Sequence, residues 1–137
     1  MTIRNYSTGD HDDVIALWSH CFNYPAAHNN PEDSIRRKTA LDDKLFFVAE
    51  SANSLVGTVM AGWDGHRGWI YSLAVNPESQ NRGIGCSLVN YAVEALRNLD
   101  CPKVNLQVMP DNVEIIRFYE KMGFQTEPRI SMGQKLH

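Results

Sequence analysis

The stretch Val75-Asn76-Pro77-Glu78-Ser79-Gln80-Asn81-Arg82-Gly83-Ile84-Gly85 separates two contrasting segments. Before it, Trp69 to Val75 is an apolar run of strand character. After it, from Cys86 and Ser87, the residues Leu88, Val89, Ala92, Val93, Ala95, Leu96 and Leu99 recur at helical spacing until Pro102 stops them. A proline and polar residues break the strand, and two glycines spaced by one residue open the helix. Backbone amides are thereby left pointing outward at a helix N-terminus, the geometry of an anion cradle. A lone GxG is a weak signal that also fits a tight turn, or a helix packed close to a strand. No Gly-Lys-Ser/Thr follows for a nucleoside triphosphate, and no third glycine completes a dinucleotide fingerprint.

Upstream, Thr2 to Tyr6 is a strand candidate and Ser7-Thr8-Gly9-Asp10 a turn-and-cap cluster. Val14, Ile15, Leu17, Trp18, Cys21 and Phe22 then mark an amphipathic helix with Asp12 and Asp13 in its first turn, where the helix dipole favours negative charge. A polar loop is expected over 23–30, and Asn30-Pro31-Glu32-Asp33 caps a second helix to about Leu41. Leu45 to Glu50 and Leu55 to Trp63 read as a hairpin, and Asp64-Gly65-His66-Arg67-Gly68 as the turn into the third strand of a meander. Downstream, Lys103 to Met109 alternates Val104, Leu106 and Val108 as a strand. Pro110-Asp111-Asn112 leads into a last helix ending at Gly123, and Phe124 to Thr126 and Ile130 to Leu136 are two terminal strand candidates. This order implies an α/β or α+β sandwich around one mixed sheet, in a single domain spanning 1–137.

Composition narrows the partners. A net charge of −3, from 13 Lys+Arg against 16 Asp+Glu, offers no basic stripe for nucleic acid. No apolar run approaches the ~20 residues of a membrane span, and the N-terminus lacks a signal-like apolar core, so a cytoplasmic protein without a membrane partner is expected. Cys21, Cys86 and Cys101 have neither disulfide-framework nor zinc-site spacing and read as free thiols, with no metal site.

The second informative stretch is Asn112-Val113-Glu114-Ile115-Ile116-Arg117-Phe118-Tyr119-Glu120-Lys121-Met122-Gly123-Phe124. Taken with Pro77, Gln80, Gly83 and Gly85, it resembles the two-part pattern of the GNAT (GCN5-related) N-acetyltransferases, and Gly57 to Gly68 resembles their small YpeA-like bacterial branch. The resemblance implies a mixed, mostly antiparallel central sheet of six to seven strands, helices on both faces, and two splayed parallel strands holding acetyl-CoA. It implies that Gln80, Asn81, Arg82, Gly83, Ile84, Gly85, Cys86 and Ser87 hold the pyrophosphate. Backbone groups of Leu73, Ala74 and Val75 would pair with the pantetheine arm, Asn112 would contact that arm, and Tyr119 would lie near the sulfur. A phenol of pKa ~10 suits protonation of a leaving thiolate of pKa ~8.5. Read from the residues alone, Tyr119 also fits a core position on the stripe Ile115, Phe118, Tyr119 and Met122, and Asn112 fits a plain N-cap.

The positions where family members often carry a basic glutamate align with Trp69 and Gln107, neither of which can take a proton. Raising a lysine-like amine of pKa ~10.4 to its nucleophilic form at neutral pH costs about 4.6 kcal/mol, against about 1.4 kcal/mol for an α-amine near ~8. The acceptor is therefore expected to be a small-molecule or peptide amine of low pKa, or one deprotonated through water. Asp64 and His66 are the other candidates for a base. Cys86 lies at the pyrophosphate loop, so direct attack in a ternary complex is expected instead of a covalent relay. Three readings stay open: a small-molecule amine acetyltransferase, a protein N-terminal acetyltransferase of the ribosomal-protein type, and a CoA-binding module with weak catalysis. A monomer or homodimer is expected.

Overall fold

The computed structural model describes residues 1–22 and 30–136. The loop expected over 23–30 therefore falls, except for Asn30, outside the described residues, as do His28 and His137. The chain divides into two compact units, Met1–Leu106 and Gln107–His137.

In the first unit one sheet runs in the order β1 (Thr2–Asn5), β2 (Phe46–Ser51), β3 (Ser54–Trp63), β4 (Gly68–Val75), β5 (Val104–Asn105). The first three pairings are antiparallel and the last is parallel. β2 and β3 form the expected hairpin, turning at Ala52 and Asn53, whose φ values of 52° and 64° give the left-handed pair of a two-residue turn. Alternating side chains face opposite sides of the sheet. Phe46, Val48, Met60 and Ala74 join Val14, Leu17 and Trp18 of α1 (His11–Cys21) and Ile35 of α2 (Pro31–Leu41) in one core. Phe47, between Phe46 and Val48, instead meets Tyr91 of α3 (Ile84–Asn98), ring centroids 4.9 Å apart. Helices thus cover both faces.

α3 buries the stripe Leu88, Val89, Ala92 and Leu96 completely, each large aliphatic contributing about 1.5–3 kcal/mol. Two glycines let it lie close to the sheet. A Cβ on Gly57 would stand 2.8 Å from Leu88 Cδ1 and 3.0 Å from the Ala74 carbonyl; one on Gly68 would stand 2.7 Å from Cys101 Sγ. The first approach lies in the second turn of α3 and the second just past its C-terminus, so a larger residue at either glycine would push the helix away from the sheet.

The second unit holds α4 (Val113–Lys121). Gly123 follows its C-terminus at φ 96°. Its N–H donates to Glu120 O and that of Phe124 to Tyr119 O, each at 3.0 Å, while the rings of Tyr119 and Phe124 pack at 5.5 Å. This is the Schellman arrangement with its apolar contact, as Gly123 predicted.

Three expectations need correction. The sheet has five strands among the described residues, not six or seven. Phe124 to Thr126 and Ile130 to Leu136 are not strands: Ile130, Met132 and Leu136 are more than four-fifths exposed, and Pro128 and Gly133 interrupt the alternation that suggested pairing. The strand expected over Lys103 to Met109 shrinks to Val104–Asn105, which pair only with Gly68 and Trp69. Past Trp69, β4 continues to Val75 without a ladder partner on β5.

Candidate functional site

The loop opens at Asn76, whose side-chain oxygen accepts from Glu78 N at 3.0 Å and starts a single 3-10 turn over Pro77–Ser79. Gln80 Nε2 donates to the carbonyl of Val75 at 3.2 Å, tying the loop back to the end of β4. Asn81 and Gly83 take positive φ values of 67° and 78°. Gly83 is the N-cap of α3, and no side chain caps that end. The first helical bond is Ser87 N–H to Gly83 O at 3.0 Å, so the amides of Ile84, Gly85 and Cys86 precede the ladder. A Cβ on Gly83 would meet nothing within 4 Å, so one side of this helix end is open. Arg82 beside it is exposed. Amides, dipole and open space together suit an anionic group.

β4 approaches this loop through a bulge. Thr58 pairs with Ala74 and Met60 with Tyr71, so Ser72 and Leu73 face Val59 alone, and Ser72 takes φ 55°. A buried relay stabilises that conformation: Trp18 Nε1 donates to Thr58 Oγ1 at 2.8 Å, and Thr58 Oγ1 donates to Ser72 O at 3.0 Å. The carbonyl of Val75 also accepts from Cys21 Sγ at 3.4 Å. Of the backbone atoms expected to serve a ligand on Leu73, Ala74 and Val75, this carbonyl is already engaged twice. The first unit thus gathers Leu73 to Val75 and Gln80 to Ser87 around one strand end and one helix start.

In the second unit, Asn112 Oδ1 accepts from Ile115 N at 3.2 Å and is the N-cap of α4. Tyr119, two turns along the same helix, is buried at 7% exposure between Phe118 and Phe124. Burial pushes its phenol up to about 12, because the phenolate would lose its hydration. Tyr119 therefore stays protonated across the neutral range.

The turn Asp64 to Gly68 has a structural assignment. Asp64 Oδ1 accepts from the amides of His66 (2.8 Å) and Arg67 (2.7 Å), which hold its carboxyl below the usual range. A carboxylate engaged in this way is a weak base. Trp69 lies on β4 opposite Asn105, and Gln107, in the second unit, donates to Ser131 Oγ at 2.5 Å. Cys86 is a half-buried free thiol. Lys38 was not singled out from sequence, yet it is buried and bonded to Tyr71 of β4. The only hint was its place three residues after Ile35 on the apolar face of α2.

The chain resembles known proteins in sequence and in fold. Residues 11–124 match the Acetyltransferase (GNAT) family. An acetyltransferase of Yersinia enterocolitica is 40% identical over 136 residues, covering 99% of this chain and 96% of that protein. The ribosomal-protein-S18-alanine N-acetyltransferase of Escherichia coli superposes with a TM-score of 0.78 at 18% identity, over 90% of this chain and 77% of that one. The PaiA N-acetyltransferase of Thermoplasma acidophilum, solved with coenzyme A, gives 0.74 at 22% identity, over 94% and 92%. By the family match and by the relative that covers nearly its whole length, the chain belongs to the GNAT acetyltransferase family.

Proposed function

We propose that the protein transfers an acetyl group from acetyl-CoA to a primary amine by direct attack in a ternary complex. The observation that carries this reading is the uncapped N-terminus of α3 with open space beside Gly83. A pyrophosphate fits there: the amides of Ile84 to Cys86 and the helix dipole offset its charge, and the exposed guanidinium of Arg82 adds a cation. Acetyl-CoA supplies an acyl group on a good thiolate leaving group. Leu73 and Ala74 would present backbone groups to the pantetheine arm, and the Asn112 side chain would reach the same arm while capping α4.

Tyr119 assists the departing sulfur as a hydrogen-bond donor. Against a thiol of pKa ~8.5, complete transfer from a phenol at about 12 is uphill by roughly 5 kcal/mol. Donation without full transfer is the role that burial leaves it. Positioning two reactants supplies most of the acceleration. The chain works in this reading as one catalytic domain, alone or as a homodimer in the cytoplasm.

The absence of a carboxylate at Trp69 and Gln107, with Asp64 committed to its turn, favours an acceptor that needs little help to lose its proton. An α-amine of a peptide N-terminus is the second reading on that ground. Calorimetry with acetyl-CoA, followed by thiol release over a panel of small amines and N-terminal peptides, separates the cases. Tight binding with turnover of small amines supports the first reading, turnover of peptides alone supports the second, and binding without turnover means a CoA-binding module. Gly83→Val fills the open side and strains a left-handed residue; acetyl-CoA affinity should fall at least tenfold, and an unchanged affinity would remove the loop from the site.

A further inference from the structure

A buried ammonium lies on the sheet face opposite α3, beside the place where β4 and β5 part. The side chain of Lys38 is 3% exposed, and an unpaired ammonium there would cost several kcal/mol. All three of its N–H groups are used: it donates to Asp43 Oδ2 at 2.8 Å, to the carbonyl of Ala61, and to Tyr71 Oη at 3.1 Å. Asp43 is itself fixed, its other oxygen accepting from Leu45 N at 3.1 Å. The Ala61 carbonyl lies where β3 runs on past the start of β2, and Lys38 satisfies it. The charge is cancelled by Asp43, and no donor of Lys38 remains for a ligand.

Tyr71 is the most exposed member of this cluster, at 40%, against 28% for the Asp43 side chain. Lys38 occupies one acceptor direction of its hydroxyl, which leaves the O–H and a second lone pair for an outside group. The position matters more than the chemistry of the cluster. Trp69 is the last β4 residue paired with β5, and Tyr71 is the next side chain on the same face, one step past the parting of the strands. Across from Trp69 stands Gly62, whose hypothetical Cβ would be 3.4 Å from Tyr71 Oη, so the floor between the two rings carries no side chain. Trp69 is 36% exposed, and Leu41, three residues beyond Lys38 on α2, is 66% exposed. Two aromatic rings, a hydroxyl and a neutralised ion pair form a surface with no net charge. It suits an apolar stem, and the ring faces also attract an ammonium before it loses its proton.

We propose that Tyr71 is the polar contact for the incoming acceptor and that Lys38 is the positioning residue that fixes its hydroxyl where β4 and β5 part, selecting primary amines on an apolar or aromatic stem. This rests on the acetyl-transfer reading above. The test first measures acetyl-CoA binding by calorimetry, then thiol release with 2-phenylethylamine, tryptamine and putrescine. The aromatic amines should turn over with lower KM than putrescine. Tyr71→Phe removes only the hydroxyl; it should raise the KM of the best aromatic amine about fivefold and leave the Kd for acetyl-CoA within twofold. Lys38→Met should move the amine KM the same way, and where it fails to fold, Tyr71→Phe decides. A cluster that only satisfied the Ala61 carbonyl would lower the melting temperature of Lys38→Met without changing the amine KM in Tyr71→Phe. That outcome, turnover of putrescine alone, or turnover of none of the three while acetyl-CoA binds, would overturn the proposal. Failure of the wild-type protein to bind acetyl-CoA would bring down the acetyl-transfer reading itself, and the proposal with it.

Discussion

At the residue scale, one side chain often does two jobs. Asn112 was ambiguous between cap and ligand contact, and its oxygen does cap Ile115 N, a bond that does not use its amide nitrogen. Tyr119 was ambiguous between core and chemistry, and it is a core residue by burial. That burial determines what the phenol can do, since a group held at about 12 donates a hydrogen bond and keeps its proton. Tyr119→Phe should therefore lower kcat about tenfold with little change in acetyl-CoA affinity, as steady-state kinetics beside calorimetry would measure; an unaltered kcat would remove Tyr119 from the chemistry. Sequence showed which residues were present at such positions. It could not show that Asp64 is engaged by two backbone amides, because that depends on the shape of a turn.

At the scale of elements, the helix patterns were the most legible part. α3 runs over the stripe read from Leu88 to Leu96, and α4 stops where Gly123 indicated. Strands were read less well, because a strand exists only with a partner. Ile130, Met132 and Leu136 share the even positions of a strand pattern, yet among the described residues no strand pairs with them and they are exposed. The bulge at Ser72 was invisible for the same reason: it arises from pairing with Thr58 and from the Trp18 relay. The seating of α3 on β3 gives a test at this scale. Gly57→Ala places a methyl 2.8 Å from Leu88 Cδ1 and 3.0 Å from the backbone oxygen of Ala74, and only the first of these can move aside. Urea unfolding should show a loss of about 1–3 kcal/mol, accompanied by weaker acetyl-CoA binding because the helix start shifts. Full stability would mean that the sheet relaxes there without cost.

On the scale of the whole chain, the ion pairs give stability a dependence on pH. Asp10 is held below the ordinary carboxylate range by hydrogen bonds from Arg4 at 2.8 Å on each oxygen, with Ser7 N adding a third. Its folded pKa is depressed, so its contribution is complete above ~4 and is lost as pH falls through the folded value. His11 lies between Asp12 at 3.1 Å and Glu32 at 2.6 Å, linking the starts of α1 and α2, and its pKa is raised. That contribution is complete below ~6.5 and is lost as pH rises through the folded value. The melting temperature should therefore decline slightly as pH rises above ~6.5, and His11→Gln should flatten that decline in calorimetric scans. An identical slope in the variant would show that His11 does not couple the two helices. Among the described residues no helix is long and apolar enough to cross a membrane, and no group of His, Cys, Asp or Glu could hold a metal ion.

The sequence by itself determined the family, the order of the elements up to α4 and the two stretches here proposed to hold the donor. Those features are local: a glycine pair at a helix start and an asparagine and tyrosine two turns apart act through backbone geometry and helical spacing, which neighbouring residues specify. Tertiary structure alone decided the cluster around Lys38. Lys38 and Tyr71 are 33 positions apart, and only packing α2 onto β3 and β4 puts an ammonium, a carboxylate, an orphan carbonyl and a phenol within hydrogen-bond reach. Burial then forces them to satisfy one another, since none can remain unpaired away from water.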